Sequence, residues 1–182
     1  MPELEIRPAS RDQLGEVEAL LTGASEWLAS RGIDQWQFPP RRDRLVSAMD
    51  RGECFLACLD GVPVATFTVD DQADPEFWEA SDAPEDALYV HRMAVAREVA
   101  GRGLGGNLLD WASDRAAAKG KPFLRLDAWK TNPGLQSYYL GQGFRLVRVV
   151  DLPHRPSGAL FERAVAGMEG GHKVTGLAGA RN

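Results

Sequence analysis

Arg92-Met-Ala-Val-Ala-Arg-Glu-Val-Ala-Gly-Arg-Gly-Leu-Gly-Gly-Asn-Leu-Leu109 reads as the end of a strand, a glycine-rich bend and the first turns of a helix. Leu88, Val90 and Val95 suit a buried strand. Gly101, Gly103, Gly105 and Gly106 let the main chain approach a ligand with no Cβ atoms between. Leu104, Leu108, Ala112 and Ala116 then recur every four residues, with Asn107, Asp110 and Asp114 on the other face, so a helix begins inside the glycine run. The unpaired N–H groups of its first turn, with the positive end of its dipole, form an anion cradle suited to a pyrophosphate.

Gly101, Gly103 and Gly106 also satisfy G-x-G-x-x-G, and Asp127 stands about where a ribose-binding acid belongs in a dinucleotide site. In that fold the first glycine follows the strand at once, whereas here Ala96 to Ala100 intervene and the unit lies mid-chain. A tight turn that merely starts a helix is the third reading of the same residues.

A second landmark follows at Asn132-Pro-Gly-Leu-Gln-Ser-Tyr-Tyr-Leu-Gly-Gln-Gly-Phe144. With Ala100-Gly-Arg-Gly-Leu-Gly105 before it, the chain resembles the GNAT superfamily of acetyl-CoA-dependent N-acetyltransferases over roughly residues 4 to 166. The family's hallmark is Gln/Arg-x-x-Gly-x-Gly/Ala, and its later motif is an Asn, a helix and Tyr-x-x-x-Gly-Phe. Ala100 stands where the family has Gln or Arg, leaving Arg102 and Arg97 as the nearby positive charges.

The resemblance implies an α/β (α+β) fold over 1–166: a mixed, mostly antiparallel sheet of six to seven strands, helices on both faces, and a V-shaped gap between the central strands. It implies acetyl-CoA as cosubstrate and no metal. Gly101, Arg102, Gly103, Leu104, Gly105 and Gly106 would hold the diphosphate, and the backbone of Met93, Ala94 and Val95 the pantetheine arm. The Val95 N–H would polarise the thioester carbonyl, which favours the transition state as negative charge develops. By the same resemblance Asn132 reaches the cofactor arm, besides capping a helix that starts with Pro133. Tyr139 would protonate the departing thiolate, while Tyr138 matches an apolar position and is expected in the core.

Composition narrows the functional classes. The 182 residues suit one domain, and a net charge of −5 argues against nucleic acid as the main partner. No apolar run approaches a membrane span, and Met-Pro-Glu-Leu-Glu-Ile lacks the regions of a signal peptide, so a cytoplasmic enzyme is expected. Cys54 and Cys58 share a strand face ~13 Å apart at ~3.3 Å per residue, too far to bridge. Both are expected as small core residues, and with three histidines no zinc site is indicated.

Toward the N-terminus, Leu4 to Arg7 predicts a strand, and Ser10 caps a helix carrying Leu14, Val17, Leu21 and Leu28, which Gly23 is expected to break or bend. Ile33 to Phe38, before Pro39-Pro40, predicts a loop, where Trp36 is either a substrate contact or an aromatic packed under the first helices. Arg41 to Arg51 predicts a helix facing inward with Leu45, Val46 and Met49. Cys54–Leu59, Asp60-Gly61 and Val62–Val69 form a hairpin signature, apolar on both faces.

Asp70 to Asp86 contains eight acids and no lysine or arginine. It reads as a solvated loop or as an acidic rim that attracts a cationic amine, with Phe77 and Trp78 hinting at a lid or contact surface. Pro122–Ala128 predicts the strand across the gap, and Phe144–Asp151 and Gly158–Val165 the last two. Residues 167–182, rich in glycine, read as a mobile tail.

The expected reaction is acetyl transfer from acetyl-CoA directly to a primary amine, with a small molecule as the expected acceptor, no nucleic acid or membrane partner, and a homodimer compatible with the sequence. Such an amine is almost wholly protonated at neutral pH, so a base is needed. His91, four residues before Val95, is the first candidate; Asp70, Asp127 or a water chain are alternatives, and Asp70 and Asp127 also suit acceptor binding. A protein N-terminus or lysine is the alternative acceptor. Rival classes are a nicotinamide-dependent oxidoreductase and a catalytically silent acyl-CoA-binding module.

Overall fold

The computed structural model describes residues 2–36 and 40–166, so the tail read at 167–182 lies outside the described residues, as does part of the loop after Trp36. Main-chain contacts separate two compact units: of the described residues, one holds the chain up to Val69 with Arg92–Asn107, the other Asp70–His91 and 108–166.

The first unit begins with β1 (Leu4–Pro8), α1 (Leu14–Ser30), α2 (Arg42–Asp50), β2 (Cys54–Leu59) and β3 (Val62–Asp70). Asp60 and Gly61 both take positive φ, 48° and 80°, the geometry of a two-residue hairpin turn, so the predicted hairpin forms from its local chemistry. β1 pairs antiparallel with β2, and β2 with β3. Cys54, Leu56 and Cys58 face one cluster with Val17, Leu21, Leu45 and Met49, so both cysteines are core residues, as expected.

α1 runs unbroken through Gly23, contrary to the expected break. A glycine inside a helix costs only about 1 kcal/mol against alanine, and burial of Leu21 and Leu28 on either side outweighs it. At its start Gln13 turns back to accept the Ser10 N–H at 3.1 Å, and one turn of tighter helix precedes Leu14.

The second unit holds β5 (Phe123–Trp129), α4 (Pro133–Gly141), β6 (Arg145–Val149) and β7 (Ser157–Ala164). Shared between the units are β4 (Ala87–Val95) and α3 (Leu104–Ala118). The strand order is β1-β2-β3-β4-β5-β7-β6, a seven-stranded mixed sheet in which β4 and β5 are parallel and β7 is antiparallel to both β5 and β6. α3 begins inside the glycine run at Leu104, and Leu104, Leu108, Ala112 and Ala116 are all buried. Gly120 closes it at φ 70°, while the Lys121 N–H returns to Ala116 O at 2.9 Å.

Phe77 and Trp78 are 1% and 4% exposed and pack with Ala87, Tyr89 and Leu160. They are core, not the lid or contact surface the run of acids suggested. At Gly158 a Cβ would meet Val150 O at 2.2 Å, so only glycine lets the end of β6 close on β7 there. No helix among the described residues is long and apolar enough to cross a membrane.

Candidate active site

In the first unit, the Ala96 N–H donates to Val64 O at 2.7 Å. Successive N–H groups of a strand point to opposite sides, so the Val95 N–H points away from β3. A short turn at Arg97–Val99 follows, then Gly101 and Gly103 at φ 79° and 78°. Among the described residues no protein acceptor meets the N–H groups of Gly101 through Gly106, whereas Asn107 N–H donates to Gly103 O at 3.2 Å. A Cβ placed at Gly101 or Gly103 would meet nothing within 4 Å, so the approach to these amides is open. A row of unpaired donors at a helix start suits an acceptor-only anion, and the diphosphate of coenzyme A is one. Arg102 is exposed beside them. Arg97 lies over the Trp27 ring at 3.7 Å, so its charge is held against the end of α1.

In the second unit, the β4–β5 ladder covers only Ala87↔Phe123, Leu88↔Leu124 and Tyr89↔Arg125, although both strands run on. β5 stays paired with β7 as far as Trp129↔Ser157. The parallel pair therefore ends where the family resemblance places parted strands. Just beyond, Arg92 takes φ 48°, a left-handed conformation that interrupts the two-residue alternation. Strand alternation therefore does not carry from His91 to Val95 across Arg92, so their four-residue spacing does not put them on one face.

His91 is 28% exposed at its side chain and its Nε2 lies 2.9 Å from Oδ1 of Asp70, which is 9% exposed. Two sequence candidates thus form one pair. Asp127, on β5, accepts the hydroxyl of Ser157. Asn132 caps α4, its Oδ1 accepting the Leu135 N–H at 3.1 Å, with Pro133 in the first turn. Gln136 reinforces this corner by donating to Trp129 O and Lys130 O, both at 3.1 Å.

Tyr139 has its ring buried against Phe144 and Phe161, with centroids at 5.7 and 5.8 Å. Burial first, then the neighbouring Tyr138 and Asp127, raises its pKa above the ordinary value, so it stays a protonated donor at physiological pH. Its hydroxyl has no partner among the described residues. Tyr138, expected in the core, is instead 37% exposed, because α4 turns the adjacent Tyr139 inward.

Trp36 sits at φ 60°, packs against the core cluster of the first unit, and its carbonyl accepts the Ser25 hydroxyl at 2.6 Å. Its partly buried ring packs against the cluster that α1 and α2 supply. Three acids of 70–86 are tied to arginines within the second unit: Asp74 and Glu76 pair with Arg155 at 2.6 and 2.7 Å, and Asp82 with Arg148 at 2.7 Å.

Sequence reasoning missed Arg125, which is 3% exposed and pairs with Glu162 at 2.8 Å. Its guanidinium also donates to the carbonyls of Asp82 at 2.6 Å and Ala83 at 3.2 Å and lies over Trp78 at 4.8 Å. A charge inside each of two apolar strands, Phe-Leu-Arg-Leu and Leu-Phe-Glu-Arg, was the available signal, because such groups are buried only in pairs. Ser157 and Trp27 carried no comparable signal. Among the described residues no group of three or more His, Cys, Asp or Glu side chains could hold a metal ion.

The protein YesJ of Bacillus subtilis (strain 168), described as an uncharacterized N-acetyltransferase, is 28% identical over 146 residues, covering 77% of this chain and 81% of YesJ. An acetyltransferase of the GNAT family from Listeria monocytogenes 4b F2365 has a similar fold at TM-score 0.73 and 20% identity, covering 88% of this chain and 94% of the other. The PaiA N-acetyltransferase of Thermoplasma acidophilum, solved in complex with coenzyme A, follows at TM-score 0.68 and 18% identity, covering 88% and 98%. The sequence model of the Acetyltransferase (GNAT) family matches residues 21–144, across the glycine bend, the capped α4 and Phe144, and the chain therefore belongs to that family of acetyltransferases.

Proposed function

We propose that the chain moves the acetyl group of acetyl-CoA directly to a primary amine of a small molecule. The observation that carries the donor half is the row of unpaired N–H groups from Gly101 to Gly106 at the start of α3. These amides, with Arg102, hold the diphosphate, and the main chain of Met93, Ala94 and Val95 guides the pantetheine arm. The Val95 N–H, directed away from β3, polarises the thioester carbonyl. Asn132 adds a polar contact to the arm while capping α4.

In the reaction His91 takes a proton from the ammonium form of the acceptor, and the freed amine attacks the thioester carbonyl. The C–N bond forms, the C–S bond breaks, and Tyr139 hydrogen-bonds to the leaving sulfur and delivers its proton. Two protons leave the nitrogen in all: one reaches solvent through His91, and the other makes up the coenzyme A thiol with Tyr139 reprotonated. Trp36 and Asp127 are assigned to the acceptor side.

A small acceptor is favoured over a basic peptide because the acids that would form a docking strip, Asp74, Glu76 and Asp82, are neutralised by Arg155 and Arg148. A thiol-release screen with acetyl-CoA against polyamines, amino acids, other small amines and lysine-bearing peptides tests the proposal. Turnover with small amines is expected. Failure of every amine to raise thiol release above the amine-free background would overturn acetyl transfer to amines, and turnover with peptides alone would move the acceptor class.

A further inference from the structure

We infer that Asp70 positions His91 as a base of one fixed tautomer, with the proton on Nε2 and the lone pair of Nδ1 left for the acceptor ammonium. The inference rests on the proposed role of His91 as the base. A carboxylate can only accept hydrogen bonds, so the 2.9 Å contact between Nε2 and Asp70 Oδ1 makes Nε2 the donor. In a neutral imidazole the other nitrogen is then bare.

The carboxylate is itself fixed. The same Oδ1 accepts the Gln72 N–H at 3.0 Å, at the end of β3. The second nearby carboxylate, Asp74, is committed to Arg155 at 2.6 Å and to the Glu76 N–H at 3.0 Å. Asp70 is therefore the carboxylate that hydrogen-bonds to His91, while Asp74 lies close enough to interact with it through charge alone. Nδ1 makes no hydrogen bond among the described residues, and Arg7 Nε is the one buried side-chain polar atom left without a partner among them. Nδ1 is thus unpartnered yet not sealed in.

A free imidazole exchanges between two tautomers, and only one presents a lone pair at Nδ1. Asp70 removes the other and stabilises the imidazolium formed when Nδ1 takes the ammonium proton. The Nε2 proton stays on the ring, and the Nδ1 proton passes to solvent after the transfer.

Long-range 15N–1H NMR of the imidazoles tests this without substrate, the His91 signals being assigned with His91→Ala. At neutral pH the protein should show the Nε2–H form; an Nδ1–H form or a mixture would overturn the inference. Asp70→Asn should yield mixed tautomers and lower kcat by at least ~10-fold with KM for acetyl-CoA unchanged, and Asp70→Glu should recover part of the rate. In the His91→Ala background, Asp70→Asn should add no further loss. An extra loss there would show Asp70 acting on its own, and an unaltered kcat in the single variant would likewise sink the positioning role. Failure of every amine to react would remove the acetylation reading but leave the tautomer measurement to decide this one.

Discussion

From Gly101 to Gly106 the main-chain donors find no acceptor among the described residues, while between Asp70 and Asp86 four of the eight acids, Asp70, Asp74, Glu76 and Asp82, pair with cations from farther along the chain. Both stretches look like binding surfaces when read as composition. The first is left unpaired among the described residues because its donors belong to a helix start and to a bend whose Gly101 and Gly103 take positive φ, where an added Cβ would meet no described atom within 4 Å. The second closes because Arg125, Arg148 and Arg155 reach it from strands and a loop 43 to 81 residues away. Unsatisfied hydrogen-bonding capacity, rather than net charge, separates the two stretches.

Variants that open the closed region or close the open one put that contrast at risk. Arg125→Met has the largest expected effect. It leaves the buried Glu162 with Arg145 alone and removes donors from the Asp82 and Ala83 carbonyls, so urea unfolding should show a loss of about 3–5 kcal/mol. A loss under about 1 kcal/mol would mean that the loop closes without its arginine.

Tyr139→Phe should lower kcat about 100-fold, the scale of one proton-transferring group, with coenzyme A affinity near the parent value. A rate unaltered at every pH would assign the thiolate proton to another group.

Gly103→Val should weaken coenzyme A binding about 10- to 100-fold in a calorimetric titration, equal to roughly 1.4–2.8 kcal/mol. An added Cβ at this position meets nothing within 4 Å among the described residues, so the described fold bears the strain of φ 78°, of order 1–3 kcal/mol. Unchanged affinity would remove the bend from the cofactor site.

Asp82→Asn has the smallest expected effect. The hydrogen bond from Arg148 is the main reason the Asp82 pKa lies at about 2, below its ordinary 3.8. A depressed folded pKa adds stability above the unfolded value and loses it as pH falls through the folded one. The parent protein should therefore lose stability between pH about 4 and about 2, and the variant should flatten that slope by of order 1 kcal/mol. Identical acid limbs would show that the pair contributes nothing.

Much of the fold was legible because its signals are local. Asp60-Gly61 specifies a hairpin through positive φ, Asn132-Pro133 starts α4 through a cap and a fixed proline, and the four-residue spacing from Leu104 marks α3. Gly23 misled because helix propensity is weak against burial of Leu21 and Leu28. Phe77 and Trp78 misled because their acidic neighbours advertise solvent, whereas Arg155 and Arg125 lie over those rings at 4.3 and 4.8 Å. The His91–Asp70 pair spans 21 residues, and no local pattern announces it.

By itself the sequence determined the glycine bend, its helix and the family, since these rest on backbone conformations that neighbouring residues dictate. Only the tertiary structure decided which polar groups are spent on one another and which remain free: Asp70 on His91, Arg125 on Glu162, the bend on nothing among the described residues. The reason is physical. A polar group taken out of water must find a partner, and which partner it finds depends on how strands distant in sequence come together.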